Sequence, residues 1–583
     1  MCAYNQINDV YASDNKRLMT DVPRGEWGYR GAIMTDWGAM NDPVQAIRAG
    51  LNLEMPGPCE YSEKKILAAL EDGSLSEAEL DVCATRMTAL LLQAAQNQPK
   101  PYDIAAHNEL ARRAARESAV LLKKGASLPA AKTANIAVVG AFAKTPRYQG
   151  AGSSKINPHH VSSLCEALDG RGIAYTYAAG YEAEAREPDE ALIDEAVAAA
   201  KQADVVFACV GLPDSFESEG FDRTTLAMPE AQNALMDALA ETGTPVVAVV
   251  STGSAIVMPW RDKVDSILLL YLAGQNGGEA AADLLMGDAS PCGKLAETWP
   301  LSLEDVPCKD HFAHGGNVEY RESVYVGYRY YDKAGKAVQY PFGFGLSYTE
   351  FAYSDLTVTP EGKTVKVHCT VKNTGDRVGA EVVQLYVAPP QGKAFRPVRE
   401  LRAFRKVFLQ PGESAGVDFT LCRRAFAYYN VNTSDWFVEG GEYGIEVGVS
   451  SRDIRLHAGL TLPGDEGEAP DLRETAPAYY DLSGGLDVPT EQFEAVYGRP
   501  VTPWHEVRPF TRNTTLSELQ IHPMGAAMVE QMKQGMTATL SGNDLETMIT
   551  AMLDDMPLRQ LAMMDPVHFG GDTLDKLLVQ LNA

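Results

Sequence analysis

Basic residues are scarce in this sequence: 51 Lys and Arg stand against 78 Asp and Glu, a formal net charge of −27. A surface that acidic repels phosphate backbones, which excludes a nucleic-acid binder and makes an anionic membrane a poor partner. No run of 18 apolar residues occurs, so no transmembrane helix is predicted. The first residues, MCAYNQIND, show neither the basic nor the apolar region of a secretory signal, and a cytoplasmic location is the expectation. Cysteines number nine, scattered from Cys2 to Cys422 without a CxxC pair. Reduced thiols fit that pattern better than a disulfide framework or a zinc site. No metal constellation stands out among ten histidines, and His159-His160 in a Pro-flanked loop reads as surface. A phosphate loop is lacking too: GAGSSK (150–155) does not have the GxxxxGK[ST] spacing. STGSA (251–255) has Ala where a GxSxG elbow needs its last Gly. Neither a metal nor an organic cofactor is expected.

What is present is a long, ordinary globular composition. The chain has 583 residues, 45% hydrophobic and 22% charged, enough for several cores and three or four domains. Over the first 115 residues, strand-like runs (MCAYN, GAIMTDW, LNLEM) alternate with helical stretches (SDNKRLMTDVPRGEW, DPVQAIRAG). Strands separated by helices imply a parallel sheet. From 116 to about 310, NIAVVG, IAYTYAAG, DVVFACVG, PVVAVVS and SILLLYL lack strict alternation. Strands buried on both faces look that way, and a doubly wound α/β domain is predicted. Residues 311–350 read as a linking segment. Over 351–463, runs such as KTVKVHCTVKNTG and AEVVQLYVA alternate apolar and polar residues between turn residues, the pattern of an antiparallel β-sandwich.

The stretch GDEGEAPD (464–471) reads as a linker, and the tail to 583 as helical. Leu545, Met548, Ile549, Met552, Leu553 and Met556 follow helical spacing, as do Leu574, Leu577, Leu578 and Leu581. Both are amphipathic helices that must dock on something. Nine of the 19 methionines lie between 524 and 564, which suits adaptable core packing.

Two carboxylate positions could carry chemistry. Asp36 ends the run GAIMT and precedes Trp37-Gly38. In a β/α barrel the C-terminal strand ends face the active site, and an acid there beside an aromatic platform can meet a sugar ring. It could equally cap the next helix. The second position is GLPDSFESEGFDR (211–223), a carboxyl-rich loop leaving the strand DVVFACVG. Parallel sheets bind ligands at that end, although a solvated acidic loop has the same composition.

Several longer motifs carry a resemblance. MCAYNQIND, TDVPRGEWGYRGAIMTDWGA and AGLNLEMPG resemble the end of the barrel in glycoside hydrolase family 3. SAVLLKKGASLP, QGAGSSKINP, GLPDSFESEGFDRTTLAMPE and SPCGKLAETWP are similar to that family's second domain. VYVGYRYYDKAGKAVQYPFGFGLSYTEF and the following sandwich are similar to its fibronectin type III-like domain. The resemblance implies a multidomain α/β plus β protein: part of a (β/α)8 barrel over 1–115, an α/β sandwich domain over 116–310, a fibronectin type III-like sandwich over 351–463, and a linker with helical extension over 464–583. It implies a retaining β-glucosidase. Asp36 matches the nucleophile. Glu219 matches the acid/base, with Glu217 as the fallback register. Tyr4 and Trp37 match residues beside the glucose site. Asp222 and Arg223 read as a local ion pair holding the loop.

The resemblance covers only part of a barrel, which needs eight strands and about 250 residues. The family's early Asp and Arg have no counterpart, nor does its Lys-His pair; no Lys-His dipeptide occurs in the chain. The expectation is a truncated chain with impaired activity, unpaired strand edges and exposed apolar faces. Such edges favour self-association or a completing chain. The expected partner is a β-linked glucoside. β-Xylosidase or another β-glycosidase, and a non-catalytic carbohydrate-binding protein, are the alternatives.

Overall fold

Three short parallel runs organise the N-terminal part of the chain in the computed structural model, which describes all residues except 313–315, 504–505, 541–545, 565–568 and 571. Strands β1 (Met34–Trp37) and β2 (Leu53–Met55) pair in parallel, and Cys2 bridges to Thr35 in parallel on the other side of β1. Among the described residues β2 pairs on one side only. The crossover between β1 and β2 is the helix Pro43–Ala49. Asp42 caps it by accepting from the Val44 and Gln45 N–H groups at 2.9 and 3.0 Å. Gly50 ends it in the left-handed region at φ 105°. Cys2, Ala12, Met19, Ala46, Ala49 and Leu51 form a small core beneath these runs. A hairpin, Gln6–Ile7 with Val10–Tyr11, interrupts the predicted alternation. Its turn, Asn8-Asp9, has positive φ at both residues, as short hairpins require. The following helix, Arg17–Glu26, is a π-helix with Pro23 inside it. The helix Glu77–Gln96 buries none of its residues, and Leu90, Leu91 and Leu92 are exposed.

This N-terminal part, Met1–Tyr102, forms one compact unit together with Thr502–Ala583; Asp103–Val501 forms a second. In the first unit, Phe510, Leu516, Leu519, Leu553, Leu558, Leu561, Leu574 and Leu578 gather into a core. The apolar spacing of the tail therefore has its physical cause in helix packing. One pattern outruns its helix: Glu546–Met552 ends before Leu553 and Met556, which stay buried in the turn that leads to Pro557 and the next helix, Leu558–Met564. Leu545, the first residue of that pattern, lies outside the described residues.

In the second unit a six-stranded sheet is built from β3 (Val120–Lys123), β4 (Ile136–Val139), β5 (Tyr175–Ala178), β6 (Val205–Gly211), β7 (Val246–Ser251) and β8 (Ser266–Leu269). The order is β3-β8-β7-β6-β4-β5. All neighbours are parallel except the edge strand β3, antiparallel to β8. Every residue of β4 and β6 is buried, and separate cores cover the two faces. The helix Ile104–Ser118 is pinned to this unit by a buried carboxylate. Asp283 accepts from Arg112 at 2.5 and 2.8 Å and from Arg171 at 2.8 Å.

A β-sandwich follows. One sheet orders β9 (Phe351–Glu361), β10 (Thr364–Asn373) and β13 (Ser414–Cys422). The other orders β12 (Glu400–Leu409), β11 (Gly379–Ala388), β14 (Gly441–Ser450) and β15 (Asp453–Leu462). Alternate residues of β10, Val365, Val367, Cys369 and Val371, face the core. The chain beyond the sandwich returns to an aromatic cluster. Tyr325 donates to the Tyr479 carbonyl at 2.8 Å, and Ala476, Leu482 and Val488 pack with Tyr330 and Tyr331. All nine cysteines are free. No helix among the described residues is long and apolar enough to cross a membrane.

Candidate active site

The register of β1 and β2 puts Asp36, Trp37 and Met55 at one end, and Tyr4 follows two residues after the Cys2 bridge to Thr35. Thr35, fully buried, stitches β1 to β2: its Oγ1 accepts from the Met55 N–H at 2.8 Å and donates to the Met55 carbonyl at 3.3 Å. The next residue, Asp36, donates its N–H to Cys2 at 3.1 Å. Its Oδ1 accepts from the Trp37 N–H at 2.7 Å. Gly38 then turns the chain at φ 78° and donates to Met55 at 2.8 Å. Asp36 is half-buried, and Trp37 is 50% exposed. An acid fixed at a parallel strand end beside an open indole face suits sugar recognition. Glu54 was not singled out by its sequence position. It precedes the Met55 that pairs with Trp37, and burial pushes its carboxyl above the ordinary value against hydrogen bonds with Ser62 and Cys59. The signal was an acid inside LNLEM, a run that otherwise reads as a plain strand.

The other two predicted carboxylates lie in the second unit. Strands β4 and β6 are neighbours from which the chain proceeds in opposite directions across the sheet, so the loops after them flank a topological switch point. Glu217 and Glu219 sit in the loop after β6. Gly211 starts that loop at φ 154°, and a Cβ there would lie 1.8 Å from the Ser251 carbonyl oxygen, so only glycine fits. Arg147, buried in the loop after β4, acts as its central tie. It donates to the carbonyls of Leu212 at 2.8 Å and Glu217 at 3.2 Å, and pairs with Asp214 at 2.9 Å. Lys155 reaches Asp214 from the same loop at 2.9 Å.

The two glutamates have different surroundings. The Glu217 carboxylate accepts from the Gly253 N–H at 2.8 Å and the Ser254 hydroxyl at 2.5 Å, with Arg147 4.0 Å away. Glu219 is exposed. Its N–H donates to Ala151 at 3.3 Å, and its carboxylate accepts from the Ser153 N–H at 2.7 Å. The GAGSSK loop that lacks phosphate-loop spacing is thus the partner of the acidic loop. No ion pair between Asp222 and Arg223 is seen among the described residues, correcting that reading. Arg223 instead donates to Ser254 and Ala255 at 2.8 and 2.9 Å. The reason is electrostatic: burial pulls the guanidinium below its ordinary value, and Glu217 and Glu297 supply the opposing charge. Burial raises the Glu297 carboxyl, and Glu217 adds to that rise. Arg147, Ser153 and Ser254 could not be read as site residues because their partners are tens of residues away in the chain. His159 and His160 are exposed, and no metal-binding cluster occurs among the described residues.

Comparison with known proteins adds the lineage. Residues 1–90 match the Glycosyl hydrolase family 3 N terminal domain, 119–348 the Glycosyl hydrolase family 3 C-terminal domain, and 381–451 a Fibronectin type III-like domain. "Thermostable beta-glucosidase B" of Acetivibrio thermocellus is 47% identical over 467 residues, covering 78% of this chain and 62% of that protein. An "Exo-alpha-(1->6)-L-arabinopyranosidase" of Bifidobacterium breve is 46% identical over 481 residues, covering 80% and 63%. The chain thus spans about three fifths of the length of these curated relatives. The crystal structure of a Bifidobacterium adolescentis GH3 beta-glucosidase superposes with a TM-score of 0.77 at 43% identity. That match covers 91% of this chain and 73% of that one. On these domains, motifs and similarities, the chain belongs to glycoside hydrolase family 3.

Proposed function

We propose that this chain carries the two catalytic carboxylates of a retaining β-glycosidase that releases terminal β-D-glucose from β-glucosides. Asp36 attacks the anomeric carbon, and Glu219 protonates the leaving oxygen. Water activated by Glu219 then releases the glycosyl-enzyme. Trp37 and Tyr4 flank the sugar. The observation that carries the reading is the contrast within the acidic loop. Glu217 is saturated by Gly253, Ser254 and Arg147, whereas Glu219 is exposed and holds one backbone N–H through its carboxylate. A general acid must present its proton to substrate, and Glu219 is the carboxyl built for that.

The test is hydrolysis of nitrophenyl β-D-glucoside by the 583-residue chain, with Asp36→Asn beside it. Turnover abolished in the variant supports the reading. Equal turnover in both, or none from the folded chain, counts against it. The Bifidobacterium arabinopyranosidase, at 46% identity, favours a second reading in which the sugar is a pentopyranoside. Parallel assays on the β-xyloside and the α-L-arabinopyranoside separate the two. A cytoplasmic location is supported by nine cysteines that are all free thiols.

A further inference from the structure

The C-terminal tail touches the segment that follows Asp36 at nearly every residue. Gln560 donates its side-chain N–H to the Trp37 carbonyl at 3.1 Å. Gly38 is packed so closely that a Cβ would lie 2.8 Å from Gln560 Cγ and 2.9 Å from Met563 Cε. Arg559 donates to the Met40 carbonyl at 3.0 Å, and Asn513 donates to the Asn41 side chain at 2.8 Å. Arg559 also donates to Asn513 at 3.0 Å, and its guanidinium lies 5.0 Å from the Tyr11 ring centroid. Asn41 in turn donates to Asp14 at 2.6 Å. The bonds from Gln560, Arg559 and Asn513 to Trp37, Met40 and Asn41 join residues more than 470 positions apart within one compact unit.

Helix packing alone does not require them. The tail helix Leu558–Met564 satisfies its apolar face with Leu558 and Leu561 in the tail core. Gln560 is 9% exposed, and a polar side chain that deep is there to hydrogen-bond. Its partner is the backbone of the candidate sugar platform itself.

We propose that Gln560 is a positioning residue: it fixes the Trp37 carbonyl, and so the indole and the Asp36–Gly38 turn, for sugar binding. The assignment rests on the reading of Asp36 as nucleophile. Gln560 touches neither sugar nor reacting atoms. It acts through the Trp37 backbone, with Arg559 and Asn513 anchoring the far end of the same segment. The tail thereby acts on the site through the Trp37 backbone.

The donor is what matters, so the variants separate donors from non-donors. Gln560→Glu keeps the shape but presents an ionised acceptor to a carbonyl at neutral pH. Gln560→Lys keeps a donor. Loss of one such hydrogen bond corresponds to about a five- to tenfold effect. Gln560→Glu is expected to raise KM for nitrophenyl β-glucoside by that factor and to speed amide exchange at residues 38–41. Glucose protection of those amides is lost, and all three effects weaken as pH falls and the new carboxyl protonates. Gln560→Lys, which restores a donor, is expected to raise KM less than Gln560→Glu does. If Gln560→Glu matches wild type in KM, kcat and exchange, the assignment is overturned while the glycosidase reading stands. Faster exchange with unchanged KM and kcat also overturns it, because the contact is then merely structural. A wild-type chain with neither turnover nor glucose protection overturns the glycosidase reading and this assignment together.

Discussion

Removing the Glu217 carboxylate and removing the Glu219 carboxylate should have opposite signatures, although the two residues are two positions apart. Glu217→Ala deletes two charge-assisted hydrogen bonds, from Gly253 at 2.8 Å and Ser254 at 2.5 Å. Each such bond contributes about 1.5–3 kcal/mol when its partner is charged. The Glu217 side chain is 19% exposed, so water replaces part of what is lost. Arg147 keeps Asp214 at 2.9 Å and Arg223 keeps the charge of Glu297, so neither guanidinium is stranded. The net cost is about 2–4 kcal/mol, which for the unit Asp103–Val501 lowers its melting temperature by about 2–5 °C. Glu219→Ala removes an exposed group whose Ser153 donor can turn to water, and its cost is within about 0.5 kcal/mol. Activity should split the other way. General acid catalysis is worth about 10²- to 10⁴-fold, and it matters most when the leaving group is poor. Glu219→Ala should therefore depress hydrolysis of alkyl glucosides far more than dinitrophenyl glucoside. Glu217→Ala should lower both by one common factor. Differential scanning calorimetry and a leaving-group series read the two effects. A larger melting shift in Glu219→Ala, or a leaving-group dependence that follows Glu217, would refute the reasoning.

Three further outcomes follow from the second unit. Asp283 is 2% exposed; burial works to raise its carboxyl, but hydrogen bonds from Arg112 and Arg171 outweigh it and hold it below the ordinary value. A depressed folded-state value means stability that is present above the unfolded carboxylate value of about 3.9 and lost as pH falls through the folded one. Asp283→Asn should cost about 3–5 kcal/mol at pH 7, and calorimetry should find the gap to wild type shrinking towards strongly acid pH. Glu297 has the opposite sign: its raised value gives stability at acid pH that is lost as pH rises through it. Glu297→Gln should melt above wild type at pH 7 and level with it at acid pH. Gly211→Ala should fail to form the acidic loop, seen as lost protection of the Leu212 amide, because its Cβ meets the Ser251 carbonyl.

The buried strands were legible because burial on both faces leaves one signature, an unbroken apolar run, and the IAVV of NIAVVG and the VVFACVG of DVVFACVG carry it. The edge strand β3 does not stand out in the sequence, since VLLK is too short to announce itself. The Asn8-Asp9 turn was present in the sequence, but the flanking strands have two residues each and no apolar alternation to report. The place of Asp36 at a parallel strand end was legible from its position after GAIMT. Arg147 could not: its value lies in reaching Leu212 and Glu217, 65 and 70 residues away. The same holds for Gln560 and Trp37. Periodicity identifies which face of a helix is apolar, and it carries no information on which carbonyl a polar residue on that helix will find. Adjacency suggests an Asp222–Arg223 pair, but the fold turns the Arg223 guanidinium to Ser254 and Ala255 instead.

The central claim is that Asp36 becomes covalently glycosylated. The direct measurement is mass spectrometry of the chain after incubation with 2-deoxy-2-fluoro-β-D-glucosyl fluoride, followed by peptide mapping. The account predicts one fluoroglucosyl group on the tryptic peptide that runs from Gly31 to Arg48, attached at Asp36 and absent from Asp36→Asn. A label on any other carboxylate, or a folded chain that takes up none, would contradict it.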